Sequence, residues 1–204
     1  MGRPTILLAL ALGVAGAISV SGPSAATPIT YTETATGASG FLGSTEFINA
    51  IVTLAMTNDT ANVTNPSTGL FHNQQTPDPG TFLSLSISGI GTTTFTDTTQ
   101  AAVSQSVPDA GFGDVTNNSA ILFTKSPAFS TYDLKSAIAA VSGTSLIFNP
   151  TVPFQTSDGA FIWTSVTSVS FAATTSTAVP EPTSFALLGA ALASLGLVRR
   201  HMKS

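Results

Sequence analysis

A strict two-residue alternation of apolar and hydroxyl side chains is the feature that most constrains how this chain can fold. Within residues 82–88, the apolar positions are Leu83, Leu85 and Ile87, and the hydroxyl positions are Ser84, Ser86 and Ser88. Successive side chains of a β-strand point to opposite faces, so this spacing places the aliphatic side chains on one face and the serines on the other. Residues 29–36 alternate in the same way, with threonine at every second position. The pattern predicts half-buried strands.

Short apolar segments separated by Gly, Pro and Asn turns continue along residues 27–173. Further strands are predicted at residues 48–57, 92–96, 120–124, 145–148 and 160–172, and loops at residues 58–80 and 109–114. One short helix is predicted at residues 130–143, with a loop as the alternative. A parallel sheet would need crossover helices, which the pattern does not contain. The sequence therefore predicts an all-β domain, an antiparallel β-sandwich of jelly-roll-like type.

Composition limits the chemistry that this domain can perform. The chain contains no cysteine, which excludes disulfides, thiol catalysis and thiolate metal sites. Nine of the ten acidic residues lie between residues 27 and 178, where Lys125 and Lys135 are the only lysines and arginine is absent, so this region has a net charge of about −7. Nucleic acids and anionic membranes bind basic surfaces, and neither is expected as a partner.

Residues 1–26 have the organisation of a secretory signal peptide. Arg3 precedes an apolar segment at residues 6–20, and small residues at positions 24–26 form a cleavage site for signal peptidase before Thr27. A helix retained in a soluble fold would need a polar face, which this segment lacks. Export and removal of residues 1–26 are expected.

The last part of the chain combines three features in a fixed order. Pro180-Glu181-Pro182 is followed by an apolar segment at residues 184–198 and then by a basic tail at residues 199–204. A helix needs about 20 residues to cross a bilayer, so the apolar segment predicts a marginal transmembrane helix. The basic tail places that end in the cytoplasm and the rest of the protein outside. Residues 174–178, rich in Ser and Thr, are predicted to be a linker.

The arrangement of residues 179–204 resembles the PEP-CTERM sorting signal of exported bacterial proteins. The resemblance implies an exosortase as the processing partner, and transient membrane anchoring by the C-terminal helix. The sorting residues that it implies are Pro180, Glu181, Pro182, Arg199 and Arg200. The expected location is the inner membrane first and then the cell surface or the extracellular matrix. Loose patterns at residues 41–47 and 129–134 are also similar to extracellular domains of PEP-CTERM proteins and imply no activity.

Candidate catalytic groups are few in the mature region. Its one histidine, His72, lies in a predicted polar loop, where a solvated side chain is favoured over a general base. A Gly-x-Ser-x-Gly elbow is absent. The carboxyl groups that could form a glycosidase pair are those of Glu33, Glu46, Asp97, Asp114, Asp133 and Asp158, and solvated strand ends and turns are the favoured interpretation.

Metal and cofactor sites are not predicted either. Asp109 and Asp114 lie in a Gly-rich segment and could ligate calcium through carboxylate oxygens, but the EF-hand spacing is missing. No catalytic, cofactor-binding or metal-binding residue is therefore assigned from the sequence, and no cofactor is expected.

Two functions of different classes remain open. The favoured one is a noncatalytic exported surface or matrix protein, associated with exopolysaccharide, biofilm or the outer envelope. The alternative is a carbohydrate-binding or carbohydrate-active extracellular module. Its aromatic and carboxylate face would contain Tyr31, Trp163, Tyr132 and Asp133. A sugar platform needs exposed rings, and one Trp and two Tyr provide few.

Overall fold

The computed structural model describes residues 27–75, 82–147 and 153–176, which form thirteen β-strands. The strands are β1 (Pro28–Leu42), β2 (Thr45–Asp59), β3 (Val63–Ser67), β4 (Leu70–Gln74), β5 (Ser84–Ile87), β6 (Gly91–Thr94), β7 (Thr99–Ser104), β8 (Asp109–Asp114), β9 (Ser119–Lys125), β10 (Ile138–Leu146), β11 (Phe154–Thr156), β12 (Gly159–Ser165) and β13 (Ser168–Thr175). Their pairs are antiparallel, which confirms the predicted all-β, antiparallel class.

The thirteen strands form a single hydrogen-bonded sheet. Eleven of them follow the order β3-β4-β7-β8-β9-β10-β13-β1-β2-β5-β6, and β12 pairs with β1 and with β11 off this path. The long strand β1 is central. It pairs with β2 on one side, and on the other with β13 over residues 29–36 and with β12 over residues 39–42. The last strand of the domain, β13, therefore pairs along one edge of the first strand, β1.

A crease in β10 folds the sheet onto itself. Residues 138–143 pair with β13, whereas residues 144–146 pair with β9. Gly143 lies where the partner changes, and a Cβ at this position would collide with the carbonyl oxygen of Lys125 and lie 2.8 Å from the Thr124 Cγ2. This close approach is open only to glycine. The jelly-roll-like sandwich of separate sheets is thus replaced by one curled sheet whose halves face each other.

The two halves enclose one hydrophobic core. Phe112 of β8 packs against Phe171 of β13, with ring centroids 6.4 Å apart, and the Trp163 Nε1 of β12 donates to the Ile121 carbonyl oxygen of β9 at 3.0 Å. At the other end, β6 approaches β11, where the Ser157 amide donates to the Thr94 carbonyl oxygen at 2.9 Å. The two halves are therefore held together by their packed side chains, and the edge strand β6 is joined to β11.

The alternating pattern at residues 82–88 behaves as predicted. Leu83, Leu85 and Ile87 are buried, whereas Ser86 and Ser88 are exposed and Ser84 is half-buried. The glycines at positions 89 and 91 predict a bulge or a tight turn, and the structure has a tight turn: Gly89 and Gly91, the first residue of β6, adopt positive φ angles of 82° and 140°. Hydrophobic burial on one face fixes the register here.

Two segments predicted as loops are strands. Residues 58–80 contain the hairpin of β3 and β4, and residues 109–114 form β8, all six of whose residues are buried. The glycine and alanine content of residues 109–114 led to the loop prediction. Glycine is needed at position 111 because β8 is packed closely between β7 and β9, and a Cβ there would collide with the Leu122 carbonyl oxygen.

The predicted helix at residues 130–143 is wrong. A 3-10 helix covers Pro127–Thr131, and β10 begins at Ile138. Leu134 between them has a positive φ of 64°, which interrupts any continuous helix. The predicted strand at residues 160–172 is likewise two strands, β12 and β13, joined by a turn at Val166 and Thr167.

The two ends of the described domain lie side by side. The Thr27 carbonyl oxygen accepts from the Thr60 amide at 3.1 Å, and the Ser176 amide donates to the Pro28 carbonyl oxygen at 3.0 Å. The predicted signal peptide at residues 1–26 and the predicted transmembrane helix at residues 184–198 lie outside the described residues. Within the described ranges, the structure contains no helix that is both long and apolar enough to cross a bilayer.

Candidate functional site

A groove of about 600 Å³ lies on the face of β4, β7, β8 and β9 that points away from the core. Its shape follows from side-chain size along one cross-strand row. His72, Ala102, Gly111, Phe123 and Leu146 are paired in register across five strands. Ala102 supplies only a methyl group to the groove, whereas His72, Phe123 and Leu146 supply large side chains, and Gly111 lies between them without lining the groove. A floor with raised rims results.

Polar side chains line this groove along its length. They are His72, Gln74, Gln100, Ser104, Asp109, Asp114, Asn118 and Ser119. Asp109 and Asp114 stand five residues apart on β8, an odd spacing that would place them on opposite faces of a regular strand. Both residues nevertheless line the groove, and Asp114 is the last residue of β8, where the strand gives way to the turn.

The electrostatics of the groove are those of a neutral to acidic surface. Burial raises the pKa of Asp109 to about 6, against smaller opposing effects of a backbone hydrogen bond from Ser104 and the charge of Lys125. Burial lowers the pKa of His72, so its imidazole is neutral at neutral pH. Among the described residues that line the groove, none is a lysine or an arginine. The groove therefore offers hydrogen-bond donors and acceptors without a cation.

Two of the lining groups differ in how they are satisfied. The Asp114 carboxylate accepts hydrogen bonds from the Asn117 amide at 3.0 Å and from the Asn117 Nδ2 at 2.7 Å, so it mainly closes the turn after β8. The Ser119 hydroxyl is only 7% exposed and has no hydrogen-bond partner. A buried hydroxyl without a partner is uncommon and costs stability.

The sorting residues predicted from the sequence lie outside the described residues. They are Pro180, Glu181, Pro182, Arg199 and Arg200. Residues 178–200 match the family model described as the PEP-CTERM protein-sorting motif. The chain carries a PEP-CTERM sorting motif. The motif implies an exported surface protein that is processed by an exosortase and is anchored transiently in the membrane before processing. Comparisons with curated proteins and with solved structures give no match.

The aromatic face expected for a sugar platform is not formed in this chain. Tyr31, Trp163 and Tyr132 are 0%, 2% and 6% exposed, and all three belong to the core. Their polar atoms point inward: the Tyr31 hydroxyl donates to the Leu134 carbonyl oxygen at 2.7 Å. The neighbouring Asp133 accepts from the Lys135 amide at 3.0 Å in a local turn. These residues support the core rather than a ligand.

Glu33 departs most from its predicted solvated position. Its side chain is fully buried on β1, where one carboxyl oxygen accepts from the Thr124 hydroxyl at 3.0 Å and the other has no partner. Burial raises its pKa well above the usual range, with the Thr124 hydrogen bond opposing and the charge of Asp109 adding to the shift. The Oε2 lies 2.8 Å from the position a Cβ would take at Gly111, directly beneath β8.

The remaining carboxyl groups do not form a metal centre with these. Glu46 and Asp158 are exposed, and the Asp97 Oδ2 accepts from the Asn117 Nδ2 at 3.4 Å. Within residues 27–75, 82–147 and 153–176, no group of three His, Asp or Glu side chains is placed to hold a metal ion.

The groove itself was not predicted from the sequence. Its amide residues, Gln74 and Gln100, face each other across β4 and β7. The available indication was the alternation of Gln100 and Ala102 with the buried Ala101 and Val103, which identifies one polar and one apolar face of β7. The position of β4 beside it depends on pairing between segments that the sequence pattern alone did not connect.

Proposed function

We propose that the mature domain is a noncatalytic surface or matrix protein that associates with extracellular polysaccharide or with the outer envelope after exosortase processing. The PEP-CTERM match at residues 178–200 carries this proposal, because it implies export and processing and leaves the β-domain as the delivered part. The low charge and the Ser- and Thr-rich strands suit a domain that works among hydrated polymers.

The spacing of the groove carboxyl groups supports a noncatalytic role. Five residues of strand span about 16 Å, so the backbone positions of Asp109 and Asp114 are widely separated. Glycosidases hold their two carboxyl groups about 5 to 9.5 Å apart. Asp114 is also engaged by Asn117 through both of its oxygens. This pair therefore suits binding better than hydrolysis.

The hydroxyl and imidazole of the groove lead to the same conclusion. A serine nucleophile is activated by a base within hydrogen-bond reach. The Ser119 hydroxyl has no hydrogen-bond partner, so His72 does not contact it in that way. An acyl-transfer site of the Ser-His type is not assembled by these two residues.

A carbohydrate-binding module is the second candidate function, and the groove is the observation that favours it. The ring face first considered for this role is buried, as described for Tyr31, Trp163 and Tyr132. The groove replaces it as the place where a polymer could lie.

The proposal is tested by fractionating cells that express the full chain and sequencing the termini of the exported protein. We expect protein that begins at Thr27, lacks the C-terminal segment, and sediments with the extracellular polysaccharide or the outer envelope. Protein that keeps its C-terminus and stays in the inner membrane would overturn the proposal.

The sorting residues are tested in the same cells. The double variant Pro180→Ala with Glu181→Ala is expected to enter the membrane and to accumulate there uncut, because the prolines hold an extended strip that the protease can read. The variant Arg199→Ser with Arg200→Ser is expected to lose retention and to release uncut protein. Thr183→Ala with Ser184→Ala is the matched control and should be trimmed normally. Normal trimming of the Pro180 and Glu181 variant would show that these residues are not the sorting element.

A further inference from the structure

The groove over β7 and β8 is lined by several polar side chains, and one of them has no hydrogen-bond partner. Ser119 lines the groove and is more than nine-tenths buried, and its hydroxyl is unpaired. A buried hydroxyl has both a donor and acceptor sites to satisfy. The hydroxyl oxygen is itself buried, so a ligand group in the groove would bond to it only after the Ser119 side chain rotates toward the groove.

The neighbouring amides extend this set. Gln74 and Gln100 are cross-strand partners, and Gln100 is in turn paired with Gly113. A Cβ at Gly113 would lie 3.9 Å from the Gln100 Nε2 and 3.5 Å from the Ser119 carbonyl oxygen. The lack of a side chain at Gly113 thus keeps the amide of Gln100 and the wall at Ser119 open to the same volume. Each amide presents donors and an acceptor side by side.

Charge and shape limit the ligand class. Asp109 and Asp114 line the groove without a lysine or arginine among its described residues, so a polyanion would meet like charge. The half-buried Phe123 and the apolar Leu70 and Leu146 provide patches for C–H surface between the polar groups. A volume of about 600 Å³ lies within the range of small-molecule sites.

We propose that this groove binds a neutral, hydroxyl-rich saccharide chain, with Ser119 and Gln100 bonding to its hydroxyl groups and Phe123 contacting a sugar face. The proposal deepens the association with extracellular polysaccharide proposed above and rests on it for its biological meaning. The binding measurement below does not depend on where the protein is sorted, so the two can fail separately.

The experiment uses mature protein from the exported fraction, or protein extracted from membranes in mild detergent if export fails. Native gels are cast with an α-glucan (dextran), a β-glucan (hydroxyethyl cellulose), a mannan, a galactan, or alginate as the polyanion, and one gel contains no polymer. At least one neutral polymer is expected to retard the protein, and alginate is not. Retardation by none of the four neutral polymers, or equal retardation by alginate, overturns the proposal.

Variants assign the binding to the groove. Ser119→Ala removes an unpaired hydroxyl, so the variant should unfold at the same or higher denaturant concentration and yet bind about three- to tenfold more weakly, the worth of one hydrogen bond. Gln100→Ala should weaken binding at least as much. Gln155→Ala is the matched control, because Gln155 is exposed on β11 outside the groove. Unchanged binding by both groove variants, or an equal loss with Gln155→Ala, overturns the assignment.

Discussion

The Tyr31 hydroxyl donates to the Leu134 carbonyl oxygen at 2.7 Å and accepts from the Asn73 Nδ2 at 2.8 Å. One phenol on the central strand thus holds both β4 and the segment in which Leu134 has a positive φ. The contact is fully buried, so its loss leaves a carbonyl oxygen unpaired in the core.

Tyr31→Phe is therefore expected to lower the free energy of unfolding by about 1–3 kcal/mol. Urea unfolding followed by tryptophan fluorescence measures the change. Tyr132→Phe is the matched control, because the Tyr132 hydroxyl donates to the Ser136 carbonyl oxygen at 3.1 Å in a less buried setting, and its removal should cost less. Equal losses for the two variants would contradict the role given to Tyr31.

The buried Glu33 predicts how stability depends on pH. Its pKa is raised well above the usual value of 4.5, so the native carboxyl is protonated at pH values where the unfolded one has ionised. Unfolding then releases a proton, and the free energy of unfolding falls as pH rises from about 4.5 toward the native pKa. The slope reaches about 1.4 kcal/mol for each pH unit per proton. The raised pKa of Asp109, about 6, adds a slope of the same sign.

Glu33→Gln is expected to be more stable than the wild type at about pH 8 and to lose part of this slope, because the amide stays neutral at every pH. Urea unfolding at about pH 5 and about pH 8 tests it. The exposed Glu46→Gln should keep the wild-type slope. If the slope of Glu33→Gln equals that of the wild type, Glu33 is not the titrating group.

The position of the crease at Gly143 can also be tested. Gly143→Ala forces a methyl group against the Lys125 carbonyl oxygen and should cost about 1–3 kcal/mol of stability, since crowding displaces backbone. Gly113→Ala would meet its nearest atom, the Ser119 carbonyl oxygen, at an ordinary 3.5 Å and should cost less. Thermal unfolding of both variants decides the matter. A Gly143→Ala protein as stable as the wild type would mean that the sheet bends elsewhere.

The alternating strand β5 supplies a pair of adjacent residues with opposite environments. Leu85 is fully buried and Ser86 is exposed. Leu85→Ala should cost about 2–5 kcal/mol by leaving a cavity, whereas Ser86→Ala should change stability by less than about 0.5 kcal/mol. Leu85→Asp should prevent folding. Chemical denaturation of the three variants checks the assignment, and similar stabilities for Leu85→Ala and Ser86→Ala would refute the register.

The local sequence pattern predicted those features of the fold that depend on which face of a strand is buried. The faces of β5 and the antiparallel class follow from alternation, because one face of each strand is hidden. The residues 109–114 were mistaken for a loop because their glycines serve a close approach to β9, which appears only once the strands are side by side. The same holds for the groove: it depends on the pairing of His72 in β4 with Ala102 in β7, and neither segment alone specifies that register. The positive φ of Leu134 was not predicted, because the Tyr31 hydroxyl that donates to its carbonyl oxygen lies 103 residues away in the sequence.

The pairing of β1 with β13 has a consequence for the timing of secretion. A chain that crosses the membrane from its N-terminus delivers β1 first, yet the strand that covers its edge over residues 29–36 ends at Thr175, three residues before the sorting motif begins. Contacts of such long sequence separation form slowly, because the loop between them must close first. In a chain exported from its N-terminus, the edge of β1 over residues 29–36 therefore stays uncovered until β13, the strand next to the sorting motif, has crossed the membrane.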